Sequence, residues 1–253
     1  MKSPNSRHIR WFVLLIAVIL VSVTYLVSVP PGKVQVNAEA LQLFAPLPAV
    51  MNSPDNAVTE TKVTLGRMLY YDPRLSANQK ISCNTCHPLD AYGAESKSVS
   101  TGFKHQQGKR NAPTVYNAAG HFVQFWDGRA PTVEEQAKGP ITNPIEMAMP
   151  SNTAAVQVIK SMPEYVALFQ TAFPKDTDPV TYNNMALAIG AFERNLVTPS
   201  AWDAFLKGRQ VGLDGRAENG LQHLCRDGLS VVPRRSVCRW GGVSETRRHK
   251  AVA

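Results

Sequence analysis

The chain has 253 residues, with 27 lysines and arginines against 19 aspartates and glutamates, and a formal net charge of +8. Its apolar fraction of 44% is that of an ordinary globular protein and excludes an intrinsically disordered chain. The excess charge is uneven, because residues 207–253 hold ten basic and four acidic side chains and so carry +6. This basic tail has a single aromatic residue, Trp240, and no helical period, so we expect no nucleic-acid partner.

The N-terminal segment has the pattern of a membrane-targeting signal. Residues 1–10 form a basic end, and residues 11–29 are an almost unbroken apolar run. At helical rise this run nearly matches the ~30 Å hydrocarbon core of a bilayer. We therefore expect a transmembrane signal anchor at 11–29, with residues 1–10 cytoplasmic and the remainder periplasmic. Export by a cleaved signal, with Ala38-Glu39-Ala40 as the small-residue site, is the alternative.

The pattern beyond the anchor predicts a mainly α protein. Residues 30–54 form a proline-containing linker, and no convincing strand alternation follows. Helices are predicted at 61–69, at 131–138, in two pieces of 153–173 that are broken near Pro163, and at 179–197. The last is the clearest, because apolar residues from Met185 to Leu196 recur on one face. Residues 80–109 have no period and are predicted to be loop.

Within that loop lies the most informative motif, Cys83-Asn84-Thr85-Cys86-His87. Two cysteines separated by two residues and followed directly by histidine are the attachment pattern of a c-type haem. The thiols add across the haem vinyl groups, and the imidazole is then placed to ligate the iron. A zinc site would need a second ligand pair at metal spacing, which Cys225 and Cys238 do not supply. A thioredoxin-like dithiol would need a strand-to-helix context, which the loop does not supply.

Further stretches occur in a fixed order along the chain. They are LGRMLYYDPRLS at 65–76, the haem motif at 82–87, RNAPT at 110–114, QFWDGRA at 124–130, EQAKGP at 135–140 and PIEM at 144–147. Together they resemble the first haem domain of the bacterial di-haem cytochrome c peroxidases, over about residues 43–208. The resemblance implies a cytochrome c-like haem domain of helices and loops at 55–178. The start of a second, incomplete cytochrome c-like domain, or an interdomain helix, would follow at 179–228.

The same resemblance implies the ligands of the iron. A low-potential, peroxidatic haem would be bound covalently at Cys83 and Cys86, with His87 as its proximal ligand. His105 would be the distal ligand that leaves on activation. In related sequences that ligand lies slightly earlier in the loop, so a solvated loop histidine is the alternative for His105.

Four more roles follow from the resemblance. Glu146 would stand beside the peroxide site, where a carboxyl group with a pKa raised by burial can move a proton between the peroxide oxygens. Gln136 would help to orient the peroxide. Trp126 would lie on the electron path between two haems, and Asn111 would be one ligand of a calcium ion. The structural alternatives are a surface acid for Glu146 and a core aromatic residue for Trp126.

The resemblance fails in the basic tail at 229–253. The second Cys-x-x-Cys-His motif of the family and its later methionine ligand are missing. A frameshift would explain this, because favourable codons for 229–235 read one base on give Cys-Gln-Ser-Cys-His-Gly-Ala. A genuine tail with a disulfide between Cys225 and Cys238 is the alternative. For a natural chain of this sequence we expect little turnover, and an uncovered apolar face from Met185 to Leu196 that favours aggregation.

The expected function is that of a periplasmic peroxidase that reduces hydrogen peroxide to water. Its electrons would come from a small cytochrome c or a cupredoxin. A one-haem electron carrier without peroxide turnover, with Met68, Met147 or Met149 as the sulfur ligand, is the first alternative. A relative of the two-haem enzyme that oxidises protein-bound tryptophans is the second. A homodimer is expected from the family.

Overall fold

The computed structural model describes residue 41, residues 44–208 and residues 215–223 of the chain. The predicted anchor at 11–29, the linker up to residue 40, the cysteines 225 and 238 and the tail at 229–253 lie outside the described residues. Two compact units are distinguished, one of residues 46–200 and one that includes residues 201–208 and 215–223. Within the described ranges no helix has both the length and the apolarity needed to cross a bilayer.

The unit of residues 46–200 is built from α-helices and turns. Its α-helices are α1 (Glu60–Tyr71), α2 (Cys83–Cys86), α3 (Val133–Thr142), α4 (Asn152–Lys160), α5 (Pro163–Ala172) and α6 (Tyr182–Glu193). Short 3₁₀ turns lie at Pro73–Leu75, Leu89–Ala91, Phe103–His105 and Ala118–Gly120. Among the described residues the only β structure consists of the isolated bridges Thr101–Gln107 and Gln124–Ala130. The predicted mainly α class is confirmed.

Local signals set most helix ends. Pro163 stands in the first turn of α5, where its missing N–H costs nothing, and this confirms the predicted break in 153–173. Helix α3 runs past its predicted end at 138 to Thr142, because the Asn143 N–H closes the last turn onto the carbonyls of Gly139 and Pro140. Helix α2 is a single turn inside the segment predicted as loop.

Helices α1 and α6 form the central contact of this unit. They meet at Gly66, where a Cβ atom would lie 1.9 Å from the carbonyl oxygen of Ala188. No side chain larger than hydrogen fits there, so the glycine permits the two backbones to touch. Leu65 and Leu69 of α1 are fully buried on either side of this contact.

The apolar face of α6 is covered rather than exposed. Met185 and Ile189 are 0% and 1% exposed and belong to the main core, and Phe192 packs against Tyr70 of α1. The expectation of an uncovered face here is therefore wrong, because α1 and α3 supply the apolar partner. Helix α6 thus packs in the same unit as the predicted haem domain, although the sequence placed a boundary at 179.

A buried ion pair joins α3 to the end of α6. Arg194 donates from Nε and Nη2 to the two carboxylate oxygens of Glu134, at 2.7 and 2.9 Å. Asn56 donates to the same carboxylate at 2.9 Å, and Arg194 also donates to the carbonyl of Met51 at 3.0 Å. Every polar group in this network therefore has a partner that compensates its burial.

The second unit contains α7 (Ala201–Leu206) and α8 (Gly215–His223). Trp202 meets the ring of Phe44 edge-on at 5.2 Å and stacks on Phe205 at 5.5 Å. These aromatic contacts give the unit a small apolar cluster of its own.

Candidate haem-attachment site

The attachment motif begins with the single turn α2, which holds both cysteines. The N–H of Ser82 donates to Thr85 Oγ1 at 3.0 Å, and the N–H of His87 donates to the Cys83 carbonyl at 3.0 Å. Residues three apart on a helical turn lie on one side of it, so the Cys83 and Cys86 thiols can reach the same haem. Both are free cysteines and are partly buried.

An apolar cluster lies against one side of this turn. Its buried members are Tyr70, Val115 and Phe192, and Cys83 packs against them. A haem macrocycle is a large apolar surface, and such a wall can bury part of it. The surroundings of Cys83 therefore suit a thioether-bound haem.

His87 is fixed in the tautomer that an iron ligand requires. Its Nδ1 lies 2.9 Å from the carbonyl oxygen of Pro113 and 3.3 Å from that of Gly93, so Nδ1 must carry the proton and donate. Nε2 is left with its lone pair and has no hydrogen-bond partner among the described residues. A carbonyl oxygen that accepts a hydrogen bond from the other ring nitrogen is the usual support of a metal-bound imidazole. Tyr70 adds a second anchor, since its hydroxyl donates to the His87 carbonyl at 2.6 Å.

The two thiols of the motif lie in a poorly solvated environment. Burial raises the pKa of the Cys83 thiol to about 12 and that of the Cys86 thiol to about 11. Within the part of the chain that the structure describes, no group of three His, Cys, Asp or Glu side chains is arranged to hold a metal ion.

The predicted acid Glu146 lies within electrostatic reach of the attachment turn. Its carboxylate contributes to the raised pKa of both the Cys83 and the Cys86 thiol. Burial raises the pKa of Glu146 itself, while Arg129 and a 2.9 Å hydrogen bond from Asn143 Nδ2 oppose the rise. A partly buried carboxyl group is a suitable group for proton transfer. Its catalytic role stays a prediction.

His105 lies in a loop that is bonded to the Glu146 segment. The N–H of Phe103 donates to the carbonyls of Ile145 and Glu146 at 2.9 and 2.8 Å. Lys104 and His105 both have left-handed backbones, with φ of 53° and 59°, which is strained for residues with a Cβ. The imidazole of His105 is exposed. The structure thus joins the predicted ligand loop to the predicted acid, and the ligand role stays a prediction.

Gln136 stands half-buried on α3, the helix that leads into the Glu146 turn. The turn folds back on α3, because the N–H of Met147 donates to the carbonyl of Pro140 at 3.2 Å. The Gln136 and Glu146 side chains share no hydrogen bond in the described part of the chain. Their joint action on peroxide stays a prediction.

Trp126 and Asn111 are neighbours. The indole Nε1 of Trp126 donates to the Asn111 carbonyl at 3.0 Å, and the indole is 58% exposed, so Trp126 is not a core residue. Both residues line a shallow surface depression of about 440 Å³ together with Lys109 and Arg110. These two cations oppose a calcium ion at Asn111. Calcium binding and electron transfer at this surface stay predictions.

Sequence reasoning missed the buried carboxyl group of Glu193. This last residue of α6 is 5% exposed. Burial raises its pKa to about 8 from an ordinary 4.5, Glu134 adds to the rise, and Arg194 opposes it. The charge of Glu193 in turn contributes to the raised pKa of the Cys83 thiol. An acidic residue at a helix end gives no sequence signal of such burial, because acidic residues there are usually exposed.

Replacing Glu193 with glutamine is expected to reduce the pH dependence of stability between about pH 4.5 and 8. In that window the folded protein keeps the carboxyl group protonated while the unfolded chain releases the proton, so the free energy of unfolding falls as the pH rises. Urea unfolding of the haem-loaded protein at several pH values measures the slope. The exposed Glu164 provides the control, and Glu164→Gln should keep the wild-type slope. A wild-type slope in Glu193→Gln would contradict the expectation.

The features described so far are those of a c-type haem protein. The fold is helical, the two thiols are spaced for one haem, and a backbone carbonyl anchors the histidine. Comparison with known proteins specifies the class further. The family model of the di-haem cytochrome c peroxidases matches residues 60–211, and the chain therefore belongs to this family. Its members use c-type haem, and the helical architecture agrees with a cytochrome c-like domain.

Similar proteins support the family assignment. The chain is 45% identical over 195 residues to the cytochrome c551 peroxidase of Pseudomonas aeruginosa, covering 76% of this chain and 56% of that protein. It is 42% identical over 191 residues to the cytochrome c551 peroxidase of Nitrosomonas europaea, covering 75% and 55%. A crystal structure of a MauG-like protein associated with microbial copper homeostasis matches with a TM-score of 0.63 and 29% identity, covering 70% of this chain and 52% of that one. The chain thus spans about half the length of these relatives.

Proposed function

We propose that this chain carries the peroxide-reducing haem of a cytochrome c peroxidase. It acts in the periplasm, held there by the predicted anchor at 11–29, and reduces hydrogen peroxide to water. The electrons come from a small cytochrome c or a cupredoxin. Family membership supports the reaction class, and the names of the two cytochrome c551 peroxidases support the substrate.

The anchored imidazole of His87 carries this proposal. The bond from Nδ1 to the Pro113 carbonyl leaves Nε2 free to ligate an iron that is tethered at Cys83 and Cys86. When bound, the haem supplies the iron centre and the electrons for cleavage of the oxygen–oxygen bond.

The protein supplies the proton transfer. Glu146 takes a proton from the near oxygen of the peroxide and returns it to the leaving oxygen, so that water departs instead of hydroxide. Asn143 holds the Glu146 carboxyl group in place through the 2.9 Å hydrogen bond. Gln136 orients the peroxide, and the exposed indole of Trp126 offers a path for electrons at the surface.

Covalent haem and turnover can be tested separately. Haem staining of the denatured protein should be positive for the wild type and for Cys225→Ser, and should fall when Cys83 and Cys86 are both replaced by serine. The haem-loaded protein is then mixed with hydrogen peroxide and a reduced small cytochrome c, and oxidation of the donor is followed. Covalent haem whose Soret band does not change when peroxide is added to the reduced protein would overturn the peroxidase proposal in favour of an electron carrier. Positive staining of the double variant would overturn the attachment site.

The positions of the three candidate methionine ligands give little support to the electron-carrier alternative. Met147 and Met149 are 3% and 7% exposed and belong to the main apolar core, and Met68 is an exposed residue of α1.

A further inference from the structure

Glu95 is a buried carboxylate whose surroundings compensate only one of its two oxygens. Its side chain is 5% exposed. Oε2 lies 2.9 Å from the Nζ of Lys97, whereas Oε1 is buried and has no hydrogen-bond partner. In the described part of the chain, Oε1 is the only buried side-chain nitrogen or oxygen atom without a hydrogen-bond partner.

The ion pair with Lys97 does not account for this burial. The side chain of Lys97 is 59% exposed, so its charge is largely screened by water. One exposed ammonium group stabilises a buried carboxylate only weakly, and the second oxygen here stays unpaired. The free energy lost by removing this carboxylate from water is therefore larger than the free energy gained from the ion pair. A buried polar group left unsatisfied in this way calls for a reason beyond stability.

The position of Glu95 supplies that reason. Glu95 stands two residues after Gly93, whose carbonyl oxygen lies 3.3 Å from His87 Nδ1, so its segment is bonded to the predicted iron ligand. The preceding turn is fixed in place, because the Gly93 carbonyl accepts from the N–H of Val115 at 3.2 Å and from His87 Nδ1 at 3.3 Å. A Cβ at Gly93 would meet the side chains of residues 114, 115 and 116 at 3.0 Å, so this turn cannot shift easily.

We propose that Glu95 lowers the reduction potential of the haem, because its negative charge beside the attachment turn stabilises the ferric state. Charge, burial and hydrogen bonding around a haem set its potential. A carboxylate with one uncompensated oxygen in a poorly solvated place acts strongly on a nearby change of charge at the iron. The positive charge of the exposed Lys97 partly cancels the effect of the Glu95 charge on the iron. The inference rests on the haem attachment in the proposed function and is independent of peroxide turnover.

The test is the reduction potential of the haem-loaded protein, measured by spectroscopic titration of the Soret band. Glu95→Gln keeps the shape of the side chain and removes its charge. We expect the ratio of reduced to oxidised haem to rise about tenfold at a fixed ambient potential, which is a positive shift of about 59 mV for a one-electron couple. Lys97→Gln should shift the potential in the opposite direction, because it removes the cation that offsets Glu95.

Asp178→Asn is the matched control. Asp178 is also paired with a lysine, Lys160, at 2.6 Å, but its side chain is 65% exposed. Its replacement changes the net charge by the same amount and should leave the potential unchanged. A potential in Glu95→Gln equal to that of Asp178→Asn would overturn the inference. If Glu95→Gln fails to take up haem, the surface variant Lys97→Gln decides, since an unchanged potential there overturns the inference and a negative shift supports it.

Discussion

Replacing Glu146 with glutamine is expected to lower peroxide turnover by about 10²- to 10⁴-fold, the usual contribution of a general acid–base residue. Glutamine keeps the size of the side chain but cannot carry the proton from one peroxide oxygen to the other. The half-buried position of Glu146, its pKa raised by burial and its electrostatic reach to both thiols support this role. Initial rates of donor oxidation by the haem-loaded variant provide the measurement.

The control for this variant is Glu135→Gln. Glu135 is an exposed carboxylate of α3 that pairs with Lys138 at 2.6 Å, and its replacement should leave turnover near the wild-type rate. The Soret spectrum confirms that both variants hold their haem. Turnover of Glu146→Gln within about twofold of the wild type would remove Glu146 from the proton-transfer step.

Breaking the buried ion pair is expected to have the largest effect on stability. Arg194→Met leaves the Glu134 carboxylate buried without its cation, and the loss of one partner from such a pair costs about 3–5 kcal/mol in the free energy of unfolding. The effect should be this large because Arg194 also holds the carbonyl of Met51 and thereby the start of the unit. Urea unfolding of the haem-loaded protein measures the change.

Two further variants separate charge from packing. Replacing both Arg194 and Glu134 with methionine should recover much of the loss, because no unpaired charge remains in the interior. Lys160→Met removes the half-buried partner of the exposed Asp178 and should cost about 0–1 kcal/mol. The single variants for comparison are Arg194→Met and Glu134→Met. A double variant that loses as much free energy of unfolding as these two together would show that packing, and not the unpaired charge, causes the loss.

The sequence predicted the features that depend on contiguous residues. Covalent attachment needs two thiols and a histidine within five positions, so the motif at 83–87 is visible without a structure. Pro163 marks a helix start because its ring acts on its own turn. The mainly α class follows for the same reason, since helical periodicity is local.

Features built from distant residues could not be predicted. The partner of His87 Nδ1 is a backbone carbonyl 26 positions away, and a carbonyl has no sequence signature. The cover of the α6 face depends on Gly66, which is more than a hundred residues earlier in the chain. Glu95 and Glu193 are acidic residues that any sequence rule places at the surface, and only the packing around them shows their burial.

The contact between α1 and α6 also sets an order of events during synthesis. The two helices are separated by 110 residues, 72–181, and a ribosome that adds 5–20 residues per second needs about 6–22 s to make them. Throughout that interval Leu65 and Leu69 lack the helix that buries them. The core between α1 and α6 therefore closes only after the chain has been made as far as residue 193.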